Sequence, residues 1–252
     1  MSIAIVTGAS SGMGREFVRQ LAARGEYDAI WAVARRAERL AALQEEVPIV
    51  RPLPVDLTDP AAIAGLLALL AEEKPAVAVL VNASGYGRFG SHEEIPVADE
   101  QNMIDLNVKA LVALTEGVLP FMTKGSRIVE LGSLSSFQPT PYLNVYAAGK
   151  AFVLSYARGL NAELRPRGIT VTALCPGWVR TEFFDHADVI SPTAVTKRKP
   201  LYEADYVVSK GLKAAFKGKD ICIPGAMPRT IAFWSHRLPF GLVARAWEKI
   251  RH

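Results

Sequence analysis

The chain reads IAIVTGASSGMG at residues 3–14, and this stretch decides the fold. Residues 3–7 form an apolar run without alternation, which is typical of a strand buried on both faces of its sheet. Glycines follow at positions 8, 12 and 14, and a helix is predicted over 13–24. A buried strand, a glycine-rich turn and a helix at the start of a chain predict the first unit of a parallel α/β sheet.

The alternation of strand and helix continues along the chain. Apolar runs predict strands over 3–7, 29–34, 49–54, 77–82, 127–132, 170–174 and 221–223. Amphipathic stretches predict helices over 13–24, 38–46, 60–73, 99–122, 145–165 and 202–217. Short links between them favour a doubly wound parallel sheet of about seven strands, a Rossmann fold. Since no linker or repeat interrupts the pattern, we expect one domain over 1–252.

The composition describes a globular chain of 252 residues, half of them apolar and 21% charged. Cys175 and Cys222 show no metal-ligand spacing, so we expect reduced thiols and no metal site. The first strand begins at residue 2 or 3, which leaves no room for a signal peptide, and no apolar run approaches the roughly 18 residues of a membrane span. These observations favour a cytoplasmic protein.

The net charge of +4 is confined to the end of the chain. Residues 228–252 carry five basic side chains against the single acid Glu248, so the preceding residues are formally neutral. A nucleic-acid-binding protein would normally show a basic stripe on its body. We therefore expect no nucleic-acid partner.

The glycine-rich turn predicts a pyrophosphate site. Glycines let the backbone approach the anion closely, and the helix that follows presents free N–H groups and a positive dipole end. The residues of this turn expected to bind a dinucleotide are Gly8, Ser10, Ser11, Gly12, Met13 and Gly14.

The end of the second strand predicts which dinucleotide binds. An acidic residue about 20 positions beyond the glycines would accept hydrogen bonds from the ribose of NAD. Arg35 and Arg36 stand there instead, and guanidinium groups favour a phosphate on that ribose. The sequence therefore favours NADP, although an arginine at this place can also cap a solvated helix.

Ser133, Tyr146 and Lys150 form a candidate proton-transfer group. Tyr146 and Lys150 are four residues apart in a predicted helix and share one face, and Ser133 follows a buried strand. A phenol has a pKa of about 10, and we expect the ammonium group to lower it. Such a phenol can donate a proton to a carbonyl oxygen or accept one from an alcohol. Tyr-x-x-x-Lys alone is common by chance, so the surrounding motifs decide its meaning.

Together these motifs resemble the short-chain dehydrogenase/reductase family over residues 7–181. The matching pieces, in order, are the TGASSGMG loop, Asp56, the stretch Asn82-Ala83-Ser84-Gly85, Asn107, Ser133, Tyr146, Lys150 and the stretch Pro176-Gly177-Trp178-Val179-Arg180-Thr181.

The resemblance implies an NADP-dependent oxidoreductase acting on a carbonyl or secondary alcohol. Tyr146 would be the proton donor, Ser133 would polarise the carbonyl, and Lys150 would hold the nicotinamide ribose and lower the pKa of the phenol. Asn107 would position a water beside Lys150. The resemblance implies further cofactor contacts. These are Asp56 and Leu57 at the adenine, and Asn82, Ala83, Ser84, Pro176, Gly177, Val179 and Thr181 along the rest of the dinucleotide.

The chain departs from the family pattern at two places. Ala83 and Ser84 stand where the family usually has Asn-Ala, so one amide is lost. Ser11 stands where NADP-preferring members often carry a basic residue, which leaves Arg35 and Arg36 as the basis of the NADP assignment. Neither change removes a residue that the proton transfer needs.

Two segments near the end of the chain are expected to set the substrate. A lid over 183–202 carries Phe183, Phe184, Val189 and Ile190, with a basic run at 197–199 that either faces water or meets an acidic group. The tail over 228–252 is predicted as two helices separated at 239–241. Its apolar and basic residues fit packing on the body, packing on a sister subunit, or contact with an anionic membrane surface.

Three functions are compatible with these motifs. The first is an NADPH-dependent reductase of an apolar ketone or aldehyde, or the reverse dehydrogenase. The second is a cofactor sensor or scaffold without turnover, but retention of Ser133, Tyr146 and Lys150 argues against it. The third is an epimerase or dehydratase, whose family members are usually longer. The resemblance also implies a homodimer or homotetramer.

Overall fold

The computed structural model describes residues 1–188, 190–191 and 194–251. The strands are β1 (Ser2–Thr7), β2 (Ala29–Ala34), β3 (Val50–Pro54), β4 (Ala76–Asn82), β5 (Arg127–Leu131), β6 (Thr170–Leu174), β7 (Trp178–Val179), β8 (Leu201–Tyr202) and β9 (Ile221–Cys222). The helices are α1 (Gly12–Ala22), α2 (Ala37–Glu46), α3 (Pro60–Glu73), α4 (Val97–Ile104), α5 (Ala110–Val118), α6 (Asn144–Leu164), α7 (Phe183–Ala187), α8 (Ala204–Ala215), α9 (Ala226–Ser235) and α10 (Phe240–Ile250).

Seven parallel strands form the central sheet in the order β3-β2-β1-β4-β5-β6-β9, which confirms the predicted doubly wound fold. The apolar run of β1 is buried from residue 3 onward because helices cover both faces of the sheet. The strand order reverses between β1 and β4, and such a reversal opens a crevice beyond the carboxyl ends of the strands. The fold therefore brings the ends of β1, β2, β4, β5 and β6 to one edge.

Two apolar layers hold the sheet. On one face, α3, α5 and α6 contribute Leu70, Leu114 and Ala157 to a buried cluster. On the other, α1, α2 and α8 contribute Phe17, Leu40 and other buried side chains. Burying a large aliphatic or aromatic side chain contributes about 1.5–3 kcal/mol, so these stripes hold the helices against the sheet.

The helix predicted over 99–122 is interrupted. It begins at α4, passes through a π-helical turn at Asp105–Lys109, continues as α5 and ends in a 3₁₀ turn at Leu119–Phe121. A π turn adds one residue to a helix and is frequent at functional sites. Asn107 lies within it, so this irregularity sets the direction of a predicted site residue.

The predicted lid contains short elements that the sequence pattern did not show. α7 lies within it, and β8 pairs with β7 in a separate two-stranded sheet, so α8 begins at residue 204 and not at 202. Two-residue strands are too short to show a hydrophobic period. Val189 lies outside the described residues, while Phe183 and Phe184 pack with Phe89 and Trp247 in a third apolar cluster.

The tail forms two helices, as predicted, with the break at Pro239. The inner side of α10 buries Val243 and Trp247, and Trp247 Nε1 donates to Pro141 O at 2.8 Å. Ser235 Oγ at the end of α9 donates to Gln138 Oε1 at 2.8 Å. One side of the tail is therefore fixed to the body. Among the described residues, no helix combines the length and apolar character that crossing a bilayer requires.

Candidate active site

A cleft of about 880 Å³ lies at the carboxyl ends of the sheet strands and extends to the tail. It is large enough for a dinucleotide together with a small substrate. The predicted site residues that border it are Gly8, Ser10, Ser11, Gly12, Met13, Gly14, Arg35, Arg36, Asp56, Leu57, Ala83, Ser84, Ser133, Tyr146, Lys150, Pro176, Gly177, Val179 and Thr181. Asn82 and Asn107 lie outside its lining.

Ser133, Tyr146 and Lys150 border the same cleft. Ser133 follows β5 in an extended conformation, and its Oγ accepts hydrogen bonds from Ser135 N at 3.2 Å and Ser135 Oγ at 2.8 Å. Lys150 Nζ donates to Leu131 O at 2.6 Å and lies 5.7 Å from the centre of the Tyr146 ring. The two groups therefore face the same cleft, as their spacing on α6 predicted.

The pKa values of Tyr146 and Lys150 differ from the prediction. Burial raises the pKa of Tyr146 to about 12, although the neighbouring Ser133 hydroxyl acts to lower it. Burial also lowers the pKa of Lys150 to about 8. The prediction that Lys150 lowers the pKa of the phenol is wrong for this structure, because the ammonium is directed at the Leu131 carbonyl and loss of water dominates. Tyr146 is thus a protonated donor at neutral pH.

Asn107 supports the cleft wall from behind. Its side chain is 2% exposed, with Nδ2 donating to Tyr86 O at 2.8 Å and Oδ1 accepting from Tyr86 N at 3.0 Å. A Cβ atom on Gly85 would lie 2.7 Å from Asn107 Oδ1 and 3.5 Å from Lys150 Nζ, so only glycine fits there. Both polar atoms of the Asn107 side chain are therefore hydrogen-bonded to the backbone of Tyr86. The role of Asn107 in holding a water remains a prediction.

The turn after β1 fits a diphosphate group. A Cβ atom on Gly14 would lie 2.2 Å from Gly8 O, and one on Gly8 would lie 2.8 Å from Ala83 O. Thr7 Oγ1 also accepts from the backbone N–H groups of Ala83 and Ser84, both at 3.0 Å. These close approaches hold the loop tightly at the start of α1, where helix N–H groups favour an anion. The residues present therefore fit the pyrophosphate of a dinucleotide.

Arg35 and Arg36 differ in their surroundings. Arg36 donates to Ser10 Oγ at 3.0 Å, to Ser11 Oγ at 2.8 Å and, through Nη1, to Glu182 Oε2 at 2.9 Å. Arg35 is exposed on the rim of the cleft. The sequence pattern did not indicate Glu182, because its proximity to α2 comes from tertiary folding across the cleft.

Asp56 and Thr181 lie at the ends of the dinucleotide region. Asp56 Oδ1 accepts from Thr58 N at 2.9 Å and from Thr58 Oγ1 at 2.7 Å, and both hydrogen bonds use the same carboxylate oxygen. Thr181 Oγ1 accepts from Phe183 N at 3.3 Å, and its methyl group faces Gly12. Both therefore hold local turns while they border the cleft.

The side chain of Asn82 does not reach the cleft in this structure, in contrast to the other predicted residues at the end of β4. Its Nδ2 donates to Thr115 Oγ1 at 2.9 Å and to Glu130 Oε1 at 3.2 Å, both within the interior. The side chain lies at the end of β4 and is directed toward α5, while Ala83 and Ser84 reach the cleft. Asn82 belongs to a buried polar cluster with Thr115 and Glu130.

Glu130 is a residue that the sequence analysis did not single out. It is fully buried in β5, and burial raises its pKa to about 7 while hydrogen bonds from Thr115 and Asn82 act in the opposite direction. The sequence indicated this buried carboxyl group only through the presence of a glutamate within the otherwise apolar run 128–131. The described residues contain no group of three or more histidine, cysteine, aspartate or glutamate side chains that could hold a metal ion.

Comparison with known proteins identifies the family. The short chain dehydrogenase family model matches residues 2–188. Sulfoacetaldehyde reductase 2 from Chromohalobacter salexigens is 37% identical over 72% of this chain and 74% of the relative. A short-chain dehydrogenase from Sphingobium yanoikuyae, solved with NADPH, is 31% identical with a TM-score of 0.78 over 96% of this chain and 95% of that chain.

A further solved structure is similar over nearly the whole chain. The bulky-bulky ketone specific alcohol dehydrogenase from Comamonas testosteroni is 26% identical with a TM-score of 0.75, and the match covers 96% of this chain and 94% of that chain. Other neighbours of this fold are solved with NADP or with NAD. The chain belongs to the short-chain dehydrogenase family and is an oxidoreductase of the kind that uses a nicotinamide dinucleotide.

Proposed function

We propose that this protein reduces an apolar ketone or aldehyde with NADPH. The observation that carries the proposal is that Tyr146 and Ser133 line one cleft together with a glycine-rich diphosphate site and the apolar side chains of the tail. A proton donor that adjoins both regions can serve a carbonyl group held against a reduced dinucleotide.

The chain's own residues account for the proton and for the position of the substrate. NADPH, when bound, supplies the hydride to the carbonyl carbon. The Tyr146 hydroxyl donates its proton to the carbonyl oxygen, and the Ser133 hydroxyl donates a hydrogen bond to the same oxygen. The buried Lys150 ammonium stabilises negative charge that develops beside it. Hydride, proton and carbonyl group together give the neutral alcohol, so atoms and charge balance.

The NADP assignment depends on the arginines at the end of β2. Arg35 is on the cleft rim, and Arg36 already donates to the loop serines, so both can contact a phosphate at this place. Replacing Arg35 by alanine is expected to weaken NADPH binding by about 1.5–3 kcal/mol, the scale of a charged hydrogen bond, and to leave NADH binding unchanged. Equal losses for both dinucleotides, measured by fluorescence titration, would refute this contact.

The apolar substrate class follows from the tail. Met227, Ile231 and Trp234 on α9 and Leu242 and Ile250 on α10 line the same cleft as the catalytic residues, and all of them except Ile231 are exposed. The family model ends at residue 188, so this wall lies in the part of the chain outside the family match. The likeness to a bulky-bulky ketone specific enzyme supports the same assignment.

A panel of carbonyl compounds tests the proposed substrate class. NADPH oxidation is followed with linear and cyclic ketones of increasing size, with small polar aldehydes and with sulfoacetaldehyde. We expect kcat/KM to rise by about tenfold per added methylene until the cleft is filled. Trp234→Ala should lower kcat/KM for the large ketones and leave small aldehydes unchanged. Preference for sulfoacetaldehyde over every apolar carbonyl would overturn the assignment.

We also propose that the chain acts as one domain and as a homodimer or homotetramer in the cytoplasm. Phe152 on α6 is exposed and stacks on Tyr156 at 5.9 Å, which supplies an apolar surface on the helix that also carries Tyr146. The thiols of Cys175 and Cys222 are free, which fits a reducing compartment. Sedimentation velocity of the wild type and of Phe152→Ser tests the assembly.

A further inference from the structure

Large exposed apolar side chains are concentrated in the tail. Of the twelve found among the described residues, seven lie between residues 227 and 250. Phe233 is 49% exposed and Phe240 is 64% exposed, and neither borders the cleft. The cleft wall therefore accounts for only part of this surface, and an apolar patch of this kind marks an interaction site.

Basic residues lie among these apolar side chains. The Arg237 guanidinium lies 3.6 Å from the centre of the Phe233 ring and donates to Phe233 O at 3.0 Å. Arg245 and Lys249 are four residues apart on the exposed side of α10, opposite the inner side that buries Trp247. The tail carries a net charge of +4, whereas the residues before it are formally neutral.

We propose that the tail docks the protein on an anionic lipid surface, with the end of the cleft opening beside the membrane. Aromatic side chains and arginines with apolar stems suit the boundary between acyl chains and headgroups. Each basic side chain near an anionic surface strengthens attachment by roughly fivefold. An apolar carbonyl compound dissolved in the lipid would then meet Trp234 and Leu242 at the cleft mouth.

Charge complementarity favours an anionic lipid surface over a second copy of the chain as the partner of the tail. A two-fold interface brings the same patch of both subunits together. Here it would place one tail of charge +4 against another, and such a like-charge contact is unfavourable. Anionic headgroups provide the opposite charge. Membrane attachment does not rest on the proposed reaction, because it is measured without substrate, whereas the entry of a carbonyl compound from the lipid does rest on it.

Vesicle co-sedimentation of the full chain tests the proposal. The probes are vesicles of phosphatidylcholine alone and of an equal mixture with phosphatidylglycerol. We expect the wild type to bind the mixed vesicles only, and Phe233→Ser with Phe240→Ser to lower partitioning at least about tenfold. Replacing Arg237, Arg245 and Lys249 by glutamine should lower it roughly hundredfold.

Matched variants control for general changes in surface character. Val97→Ser removes an exposed apolar side chain from α4, and glutamine at Lys210, Lys213 and Lys217 removes three exposed charges from α8 and the turn after it. Both should bind mixed vesicles like the wild type, and circular dichroism should show all variants folded. Absence of wild-type binding, or equal losses in tail and control variants, would overturn the proposal. If the wild type does not bind vesicles and a tail variant dissociates an oligomer, the patch is assigned to contact with a second copy of the chain.

Discussion

Burial and not charge proximity governs the ionisation of the two central side chains. Lys150 directs its ammonium at Leu131 O, and the pKa of Tyr146 rises to about 12. The spacing of four residues correctly predicted that both side chains face one cleft. It could not predict their pKa values, because desolvation depends on the surrounding sheet and loops. A phenol with a raised pKa keeps its proton at neutral pH, so it is present as the donor that a carbonyl oxygen needs.

The pKa of Lys150 predicts a descending limb at high pH in the profile of kcat/KM against pH. Because burial lowers this pKa to about 8, the ammonium loses its proton as the pH rises through that value. We expect kcat/KM for NADPH-dependent reduction to be level at lower pH and to fall about tenfold per pH unit above about 8. In Lys150→Arg the guanidinium does not titrate, so any remaining activity should lack the limb. A wild-type profile that stays level to about pH 10 would contradict the assignment.

At the scale of elements, two ion pairs that share Glu182 join the two sides of the cleft. Glu182, just before α7, accepts hydrogen bonds from Arg36 and Arg39 at the start of α2. The strand and helix pattern predicted α2 almost to the residue. It could not predict this contact, or the π turn that directs Asn107 at Tyr86, because neither produces a hydrophobic period.

The Glu182 pair predicts a change in cofactor affinity. Its carboxylate competes with a ribose phosphate for Arg36 and repels it, so Glu182→Gln should tighten NADPH binding. The gain is expected to reach at most about fivefold, since partly exposed ion pairs contribute no more than about 1 kcal/mol. NADH affinity serves as the control and should stay the same. Weaker NADPH binding in this variant would show that Glu182 instead holds the site in its binding geometry.

For the whole molecule, a buried polar cluster joins the sheet to α5. Glu130 Oε1 accepts from Thr115 Oγ1 at 2.9 Å and from Asn82 Nδ2 at 3.2 Å. Glu130 Oε2 and Asn82 Oδ1 are buried and have no hydrogen-bond partner among the described residues. A proton on the Glu130 carboxyl would supply the missing donor, in agreement with its raised pKa.

This cluster predicts how stability depends on pH. The pKa of Glu130 is about 7 in the folded chain and about 4.5 when unperturbed. Between these values the unfolded chain releases a proton that the folded chain keeps, so the contribution of Glu130 to the free energy of unfolding falls by on the order of 3 kcal/mol as pH rises. Glu130→Gln should lack this fall and be more stable than the wild type at pH 8. Denaturant unfolding of both proteins across this pH range tests the prediction. A free energy of unfolding that changes with pH in the same way in both proteins would contradict it.

The sequence predicted the architecture well because apolar runs and glycines act locally. The seven parallel strands and the break in the tail were predicted, and the family match confirms the fold. The inward turn of Asn82 and the pairing of β7 with β8 depend on contacts between distant parts of the chain. The sequence showed that the tail is rich in apolar residues. The structure shows which of these side chains remain exposed.

Turnover by Tyr146→Phe tests the central claim most directly. The variant keeps the ring and loses the hydroxyl that donates the proton. With the best carbonyl substrate from the panel, we predict that NADPH oxidation falls at least about a hundredfold, while NADPH still binds with wild-type affinity. Turnover near that of the wild type, with binding intact, would contradict the role of Tyr146 and with it the proposed reaction.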